Sequence, residues 1–282
     1  MSAMPTTPDV LTRILNHMDS TPVLPHVVFR VLEVSNSSDA GLHEMERAIA
    51  IDPGFTAKVL SMVNSAAYAL PKKVASIRDA LMFLGIKQVR NLAMTIGVFD
   101  LFVGKSDQES LRRRGWWRQS LDTAVCARLI ARETGLATPD DVYTCGLLHL
   151  IGKTFLDRFG GSVYEAVLIL QKQGMSDISA ERRVYGCDHV EVGVAAATKW
   201  AMPLVITEGM GYCQPSMDSS PARAATALGH YMANCLQEGH ERNTDHAGAP
   251  RWALEALGYD VLALDELSDR CSSAIAQARL EM

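Results

Sequence analysis

The sequence lacks the features that mark membrane, secreted and zinc-ribbon proteins. No apolar run reaches the roughly 18 to 20 residues needed to span a bilayer. The opening stretch, MSAMPTTPDV, has neither the charged start nor the apolar core of a signal peptide. The six cysteines are scattered without a CxxC pair, which disfavours a disulfide framework or a structural zinc site. We therefore expect a cytoplasmic protein without a membrane segment.

Positive charge is also in short supply. Lysine and arginine number 27 against 32 acidic residues, which leaves a net charge of -5 at pH 7. A broad nucleic-acid surface needs a concentrated positive field, so this balance disfavours one. What the chain does have is length and apolar content: 282 residues, 48% of them hydrophobic, are enough for a large buried core.

The apolar residues recur at helical spacing along nearly the whole chain. Asp52 is placed to cap a helix whose first residue is Pro53. Ser76 and Asp79 have the spacing of an acidic variant of the capping box, and Gly85 ends that helix. No stretch alternates as a strand would. The sequence predicts an all-α protein, a bundle of many helices.

One polar segment divides the predicted helices into two halves. It covers residues 102–115, FVGKSDQESLRRRG, and is rich in charge and punctuated by glycine. We predict an N-terminal helical bundle over residues 1–105 and a C-terminal helical half over residues 106–282. A polar loop over residues 240–251 should precede a final amphipathic helix, LDELSDRCSSAIAQARL.

Two histidines are candidates for chemistry. The stretch GLLHLIGK, read as part of one long helix, places His149 and Lys153 on a shared face. His189 follows Asp188 at the start of another helix. Histidines from separate helices could help bind a metal, with carboxylates completing the shell. The interpretation that spacing alone favours is plainer: His149 is a hydrogen-bonded interior histidine and His189 a helix-start residue.

Two further stretches have weaker functional interpretations. LRRRGWWRQ, residues 111–119, could bind phosphates or stack on bases, although a solvated helix start with one buried tryptophan explains it better. SIRDALMFLGIKQVRNLAM has the form of a helix-turn-helix, with Lys87 and Arg90 on the second helix. His240 and His246 fall in the polar loop and are predicted to be solvated.

From about Thr21 to about Gln237 the chain resembles the HDOD family, a bacterial signalling output domain related to HD phosphohydrolases. TPVLPHVVFRVLEV resembles the family's opening helix. The tract from IAIDPG to NLAM carries the Asn64–Ser65 and Leu84–Gly85 pairs in the expected order. WWRQS, GLLHLIGK, DHVEVG and KWAMP follow in family order. The resemblance implies an HD-like architecture for the C-terminal half.

The resemblance also implies a degenerate metal site. The related hydrolases bind metal through a histidine, a His-Asp pair and a later aspartate, and some add further histidines. The positions that match are, in chain order, Gln119, His149, Leu150, His189, Cys213, Gln214 and Asn234. Both carboxylates are replaced, and hard cations need anionic ligands. Zinc held by two histidines and a cysteine is an alternative that ligand count disfavours. We expect no metal and no cofactor.

The function that the resemblance implies is regulatory rather than catalytic. The protein should act through protein–protein contacts and be gated by a small ligand in the vestigial cavity. The candidate lining residues are Gln119, His149, Lys153, Asp188, His189, Cys213 and Asn234, with Lys153 as the partner of an anionic ligand. HDOD domains often accompany receiver or diguanylate-cyclase-type domains, for which this chain has no room. The expected partners are therefore a response regulator, a histidine kinase or a diguanylate-cyclase-type protein binding in trans.

Two alternatives remain open from sequence. One is a metal-dependent phosphohydrolase that acts on nucleotides or cyclic dinucleotides with an unusual ligand set. The other is a DNA-binding regulator that uses Lys87 and Arg90, with strongly salt-dependent binding as its signature. The stretch beyond Gln237 lies outside the resemblance.

Overall fold

The protein folds as a bundle of α-helices. The computed structural model describes residues 9–18, 24–35, 37, 41–65, 68, 70, 72–103, 107–213, 220–237 and 246–280, and no strand occurs among them. The α-helices are, in chain order, α1 (Val10–Met18), α2 (His26–Ser35), α3 (Leu42–Ala50), α4 (Pro53–Val63), α5 (Ile77–Leu84), α6 (Ile86–Phe99), α7 (Asp107–Thr134), α8 (Pro139–Leu148), α9 (Ile151–Gly160), α10 (Tyr164–Lys172), α11 (Asp177–Tyr185), α12 (His189–Lys199), α13 (Leu204–Met210), α14 (Pro221–Cys235), α15 (Arg251–Leu257) and α16 (Leu264–Leu280). Short 3-10 helices occupy Asp100–Phe102, Gly161–Val163 and Val261–Ala263. The all-α prediction is confirmed, and no helix in the described ranges is long and apolar enough to cross a membrane.

The predicted helix starts are found where the capping residues stand. The Asp52 carboxylate accepts the backbone N–H of Phe55 at 3.0 Å, directly before Pro53. The Ser76 hydroxyl accepts the backbone N–H of Asp79 at 3.1 Å. These contacts satisfy donors that the first helical turn leaves without a partner. The local signals in the sequence therefore fix these two boundaries.

The long helix α7 begins earlier than the sequence indicated. It starts at Asp107, so most of the polar segment 102–115 is helical rather than a break between helices. Two of its three arginines are not solvated as predicted, while Arg114 is exposed. Arg113 is only 2% exposed and donates to the Asp157 carboxylate of α9 at 2.6 Å, and Arg112 binds the same carboxylate. A distant ion pair, invisible in the local sequence, anchors this turn of helix.

The helix predicted across GLLHLIGK is interrupted. Helix α8 ends at Leu148 and α9 begins at Ile151, so His149 and Leu150 form a turn between them. The prediction that His149 and Lys153 share the face of one helix is therefore wrong. Leu150 has φ -100° and ψ 5°, outside the helical range, and this backbone directs the chain into a new axis.

Two glycines in this stretch allow unusually close helix packing. A Cβ on Gly146 would lie 2.4 Å from the Cα of Ala124 in α7. A Cβ on Gly152 would lie 1.9 Å from the carbonyl oxygen of His189 at the start of α12. Both distances are far below van der Waals contact, so only glycine fits. The two contacts bring α8 against α7 and α9 against α12.

A single hydrophobic core runs through both predicted halves. Helix α7 packs against α8, α14 and α16, while α2 to α6 pack on one another and reach α8 through α6. Helix α1 lies against α9 and α12, in the C-terminal part of the chain. The division at residues 105 and 106 stays a prediction.

Helix α6 is a central wall of this core. Ten consecutive residues, 89–98, are buried. Arg90 is 4% exposed and donates to Asp141 of α8 at 2.8 Å, and Asn91 donates to Asp140 at 2.9 Å. Lys87 is exposed, but Arg90, the other residue of the predicted DNA-binding pair, is buried. A recognition helix must enter a DNA groove, and α6 is already enclosed by protein.

The loop before the last helices holds a second departure from prediction. His246 is 6% exposed rather than solvated. Its Nδ1 lies 3.0 Å from the hydroxyl of Tyr231, and its Nε2 lies 3.2 Å from the carboxylate of Asp265. These contacts join the loop to α14 and α16. His240 lies outside the described residues. The final helix covers Leu264–Leu280, as predicted.

The close approach of α9 to α12 gives a test of the packing. Gly152→Ala should lower the free energy of unfolding by about 3 kcal/mol, because the new methyl group forces two backbones apart. The matched control is Gly115→Ala in α7. A Cβ at Gly115 meets nothing within 4 Å, so alanine there should raise stability by about 0.5 to 1 kcal/mol. Urea denaturation of both variants would measure the difference, and equal effects would contradict this account of the packing.

Candidate functional site

His149 lies at the centre of the candidate site, in the turn between α8 and α9. It is 1% exposed, and its Nδ1 is 2.6 Å from the carbonyl oxygen of Gly146. A carbonyl can only accept, so Nδ1 carries the hydrogen and the neutral ring has an acceptor at Nε2. That Nε2 is 2.9 Å from Nδ1 of His230 on α14, which must therefore donate. The hydrogen bonds on both sides of the ring assign its tautomer.

The chain of hydrogen bonds continues from His230 in the same direction. With its hydrogen on Nδ1, His230 accepts at Nε2 from the side-chain amide of Asn234, 2.9 Å away. The Asn234 oxygen in turn accepts from the side-chain amide of Gln119 on α7, at 2.6 Å. We call Gln119, Asn234, His230 and His149 the relay. Every donor along it meets an acceptor, ending at the carbonyl of Gly146.

The relay requires both imidazoles to be neutral. Burial, followed by the proximity of His230, holds the pKa of His149 well below its usual range. Burial also lowers the pKa of His230 to about 3, with Lys153 and His189 adding repulsion. A proton on either ring would put a second hydrogen on a nitrogen that must accept. Electrostatics and hydrogen bonding therefore favour the same protonation state.

His189 is held by a separate set of partners. At the first position of α12 it is 1% exposed, and its backbone N–H and ring Nδ1 both contact the Glu181 carboxylate, at 2.8 and 2.6 Å. Its Nε2 lies 3.1 Å from the hydroxyl of Tyr212. The Tyr212 ring also packs edge-on against His149, with 4.9 Å between ring centroids. Tyr212 therefore fills the space between the two predicted histidines.

Asp188 has a structural role in this arrangement. Its carboxylate caps α12 by accepting the backbone N–H groups of Val190 and Glu191, each at 2.9 Å, and it pairs with Arg182 at 2.8 Å. Glu191 reaches back to the backbone N–H of Asp188 at 2.9 Å and completes a capping box. Asp188 fixes the start of α12 and thus the position of His189.

Lys153 is a buried cation close to this cluster. It is 4% exposed, lies 5.9 Å from the centre of the Trp116 ring, and pairs with the carboxylate of Asp177. Burial acts to raise the pKa of Asp177, but the Lys153 ammonium outweighs it and the pKa is lowered. Cys213 is half-buried beside Tyr212, and burial raises the pKa of its thiol to about 11.

The side chains of this site do not fit a hydrolytic metal centre. The nitrogen atoms that would face a metal, Nε2 of His149 and of His189, are directed at His230 and Tyr212. Neutral amides stand at Gln119 and Asn234, two positions that the sequence resemblance matched to metal ligands. Within the described ranges no three His, Cys, Asp or Glu side chains form a group able to hold a metal ion. Gln214 lies outside those ranges.

The structure brings most of the predicted residues together and adds four that sequence reasoning missed. Gln119, His149 and Asn234 meet through His230, and His189 joins the cluster through Tyr212. His230 precedes Asn234 by one helical turn, so the i,i+4 spacing could have revealed it. The remaining three, Tyr212, Glu181 and Asp177, reach the site only through tertiary packing.

Comparison with known proteins identifies relatives along most of the chain. Residues 21–215 match the family model of the HDOD domain. The crystal structure of an HDOD domain protein of unknown function from Geobacter sulfurreducens is 28% identical, covers 96% of this chain and 97% of that chain, and gives a TM-score of 0.73. A Shewanella amazonensis SB2B protein, provisionally named a phosphohydrolase, shares the fold at 22% identity over 97% of this chain and 98% of that chain, with a TM-score of 0.75.

A curated relative is longer than this chain. An uncharacterised protein of Treponema pallidum (strain Nichols) is 27% identical over 200 residues, which are 67% of this chain and 37% of that protein. The chain thus spans little more than a third of the curated relative that it matches.

The neutral histidines give a pH dependence whose sign follows from the lowered pKa values. Below the ordinary histidine pKa of about 6.5, the rings of His149 and His230 bind protons in the unfolded chain but not in the folded protein. The contribution of the two neutral rings to the free energy of unfolding is thus fully present above pH 6.5. It falls with decreasing pH, down to about pH 3 for His230. Each ring should contribute a slope of about 1.4 kcal/mol per pH unit. Urea titrations between pH 7 and 5 would measure it.

The variant His230→Gln isolates one ring, because glutamine does not titrate. Its free energy of unfolding should depend less steeply on pH than that of the unmodified protein. The difference in slope should equal the contribution of one ring, about 1.4 kcal/mol per pH unit. The control is His43→Gln, since His43 is exposed in the folded protein as it is in the unfolded chain. An unchanged slope in His230→Gln would show that the ring is protonated in the fold and that the relay is assigned wrongly.

Proposed function

Because this chain belongs to the HDOD domain family, we propose that it is a non-catalytic regulatory protein that acts by binding other signalling proteins. The observation that carries the proposal is the relay. Three of its four members, Gln119, His149 and Asn234, stand at positions that the resemblance matches to metal ligands, and their polar atoms are used for hydrogen bonds within the protein. Because these polar atoms hold the helices together rather than a metal, they support a role in recognition rather than hydrolysis.

The chemistry of the relay supports this reading over an unusual hydrolase. A catalytic metal acts by lowering the pKa of a bound water and by neutralising phosphate charge, and needs anionic ligands to hold it. The relay offers two neutral rings and two amides. To bind a metal, His149 would have to release His230, which would leave a buried donor without a partner at a penalty of about 1 to 3 kcal/mol.

Lys153 supports a second part of the proposal, the gating of partner binding by a small anion. The Lys153 side chain is 5% exposed, whereas its partner Asp177 is 48% exposed. Asp177 can therefore swing into solvent and leave a buried ammonium facing the cluster without disturbing the core. An anionic ligand that took its place would be held by a charge-assisted hydrogen bond in a site of low dielectric. On this proposal, the Asp177 carboxylate pairs with Lys153 in the absence of the ligand and is replaced there when the anion binds.

The partner classes follow from the family. We propose a response regulator, a histidine kinase or a diguanylate-cyclase-type protein as the binding partner. The Marinobacter aquaeolei VT8 protein that shares this fold, at 20% identity and a TM-score of 0.69, is provisionally named a signal transduction protein and supports this only as a fold likeness. This chain covers 63% of that protein.

Metal content tests the non-catalytic reading. Untagged protein purified without chelator should hold less than about 0.1 equivalents of any transition metal by elemental mass spectrometry, because the donor atoms are taken and the carboxylates are missing. The matched variant restores the ligands with Gln119→His, Leu150→Asp and Asn234→Asp and should gain metal. About one equivalent in the unmodified protein, lost in His149→Ala together with turnover of a phosphodiester, would overturn the proposal.

Partner binding tests the regulatory reading directly. Purified proteins of the three partner classes from the same genome should include at least one that binds the full chain in isothermal titration calorimetry. If a small anion gates the contact, pyrophosphate should change that affinity in the unmodified protein and have no effect in Lys153→Met. Absence of binding across the whole panel would contradict the regulatory proposal, and an identical pyrophosphate effect in Lys153→Met would contradict the gating.

A further inference from the structure

One residue of the family-like motif Asn64–Ser65 has no structural explanation in the fold. Asn64 is accounted for: its side chain donates to the carbonyls of Leu60 and Val74 and accepts the backbone N–H of Val74, all at 2.8 to 2.9 Å. It thereby ties the end of α4 to the segment before α5. The buried hydroxyl of Ser65, in contrast, has no hydrogen-bond partner among the described residues. Such a group in a folded protein calls for an explanation.

Ser65 lines a groove of about 550 Å³ between α4, α6 and α7. Its apolar walls are formed by Met62 of α4, Ile96 and Phe99 of α6, and Trp117 of α7. The volume falls in the range of small-molecule sites, about 300 to 1,000 Å³, and so does the pattern of apolar and aromatic walls with a few polar groups. None of these groove residues belongs to the relay.

Aromatic rings form one wall of the groove. The rings of Phe99 and Trp117 meet edge to face, with centroids 5.3 Å apart and planes at 68°. Trp117 also packs against Phe102, with 5.6 Å between ring centroids. A planar ring inserted beside this pair gains aromatic contact.

The charged rim of the groove can take an acidic group. The Lys58 ammonium is 2.9 Å from the carboxylate of Asp100, and both side chains are substantially exposed, 54% and 39%. An exposed ion pair of this kind contributes little to stability, so a ligand acid can replace Asp100 at small loss. Lys58 is the cation among the groove's described lining residues. The acid would sit at the rim and the ring against the apolar walls.

We propose that this groove is a binding site for a small planar aromatic molecule carrying one acidic group. The ring lies between Met62 and Trp117, and the acid binds Lys58. The site is independent of the proposed role of the relay, since it shares no residue with it and would stand if that role failed.

A fluorescent probe of this chemical class tests the proposal on the full chain. Anilinonaphthalene sulfonate carries a planar naphthalene ring and one acidic group, and phenylnaphthylamine is its uncharged analogue. The sulfonate should bind one site per chain. Lys58→Met should weaken it by up to about fivefold, the value for an exposed ion pair, and leave the uncharged analogue unaffected. The matched control Lys87→Met removes an exposed lysine elsewhere and should change neither probe.

Filling the groove gives the second arm of the test. Ser61 is exposed on α4 and lines the groove, so Ser61→Trp can close it without burying a misfit in the core. This variant should bind neither probe while its thermal unfolding midpoint stays near that of the unmodified protein. Retention of one-site binding in Ser61→Trp would overturn the proposal. Equal affinity of the two probes, with no effect of Lys58→Met, would overturn the acidic part.

Methyl NMR locates the probe without relying on any variant's stability. In protein labelled on methionine methyl groups, the resonance of Met62 should shift on addition of the sulfonate, because its side chain lines the groove. Met82, which is 69% exposed on α5, serves as the internal control and should not shift. A shift at Met82 with none at Met62 would place the probe on an adventitious apolar surface and contradict the site.

Discussion

His149 and His230 share a hydrogen bond whose direction is set by the partners on either side, and this constraint organises the centre of the protein. His149 and His230 meet at 2.9 Å, and each has one nitrogen to donate and one to accept. The carbonyl of Gly146 fixes the first ring, and the amides of Asn234 and Gln119 complete the order. The neutral amides are therefore requirements of the relay, because a carboxylate in their place would favour protonated rings and break its direction.

The relay depends in turn on how closely the helices approach. Gln119 is on α7, His149 follows α8, and His230 and Asn234 are on α14, so three chain segments must meet within hydrogen-bond distance. The glycine contacts between α8 and α7 and between α9 and α12 make this approach sterically allowed. The buried pairing of Arg112 and Arg113 with Asp157 holds the start of α7 against α9. Packing, charge and hydrogen bonding thus act on the same set of helices.

In this member of the HDOD family, side chains from α7, α12 and α14 and from the turn after α8 meet at one point. The polar atoms of Gln119, Asn234, His230 and His149 are taken up there by hydrogen bonds to one another. Tyr212 packs beside them and contacts both His149 and His189.

The sequence by itself determined the helical class, the family and several boundaries, because these depend on local periodicity, capping and order of motifs. Helix starts can be located at Asp52, Ser76 and Asp188 from sequence alone, because a capping side chain binds the backbone only two or three residues away. The sequence also identified most of the central residues through the resemblance, although their roles as ligand-binding groups stay a prediction. It could not show what those residues bind to in the fold.

Tertiary structure alone decided that α7 extends back to Asp107, that His149 stands in a turn, and that Arg90 and His246 are buried. It also supplied Glu181, Tyr212 and Asp177 to the site. Each of these outcomes depends on a partner far away in the chain: Asp157 lies 44 residues from Arg113, and Asp141 lies 51 residues from Arg90. The reason is physical, because burial of a charge or an imidazole is stable only when the folded chain brings its partner within hydrogen-bond distance.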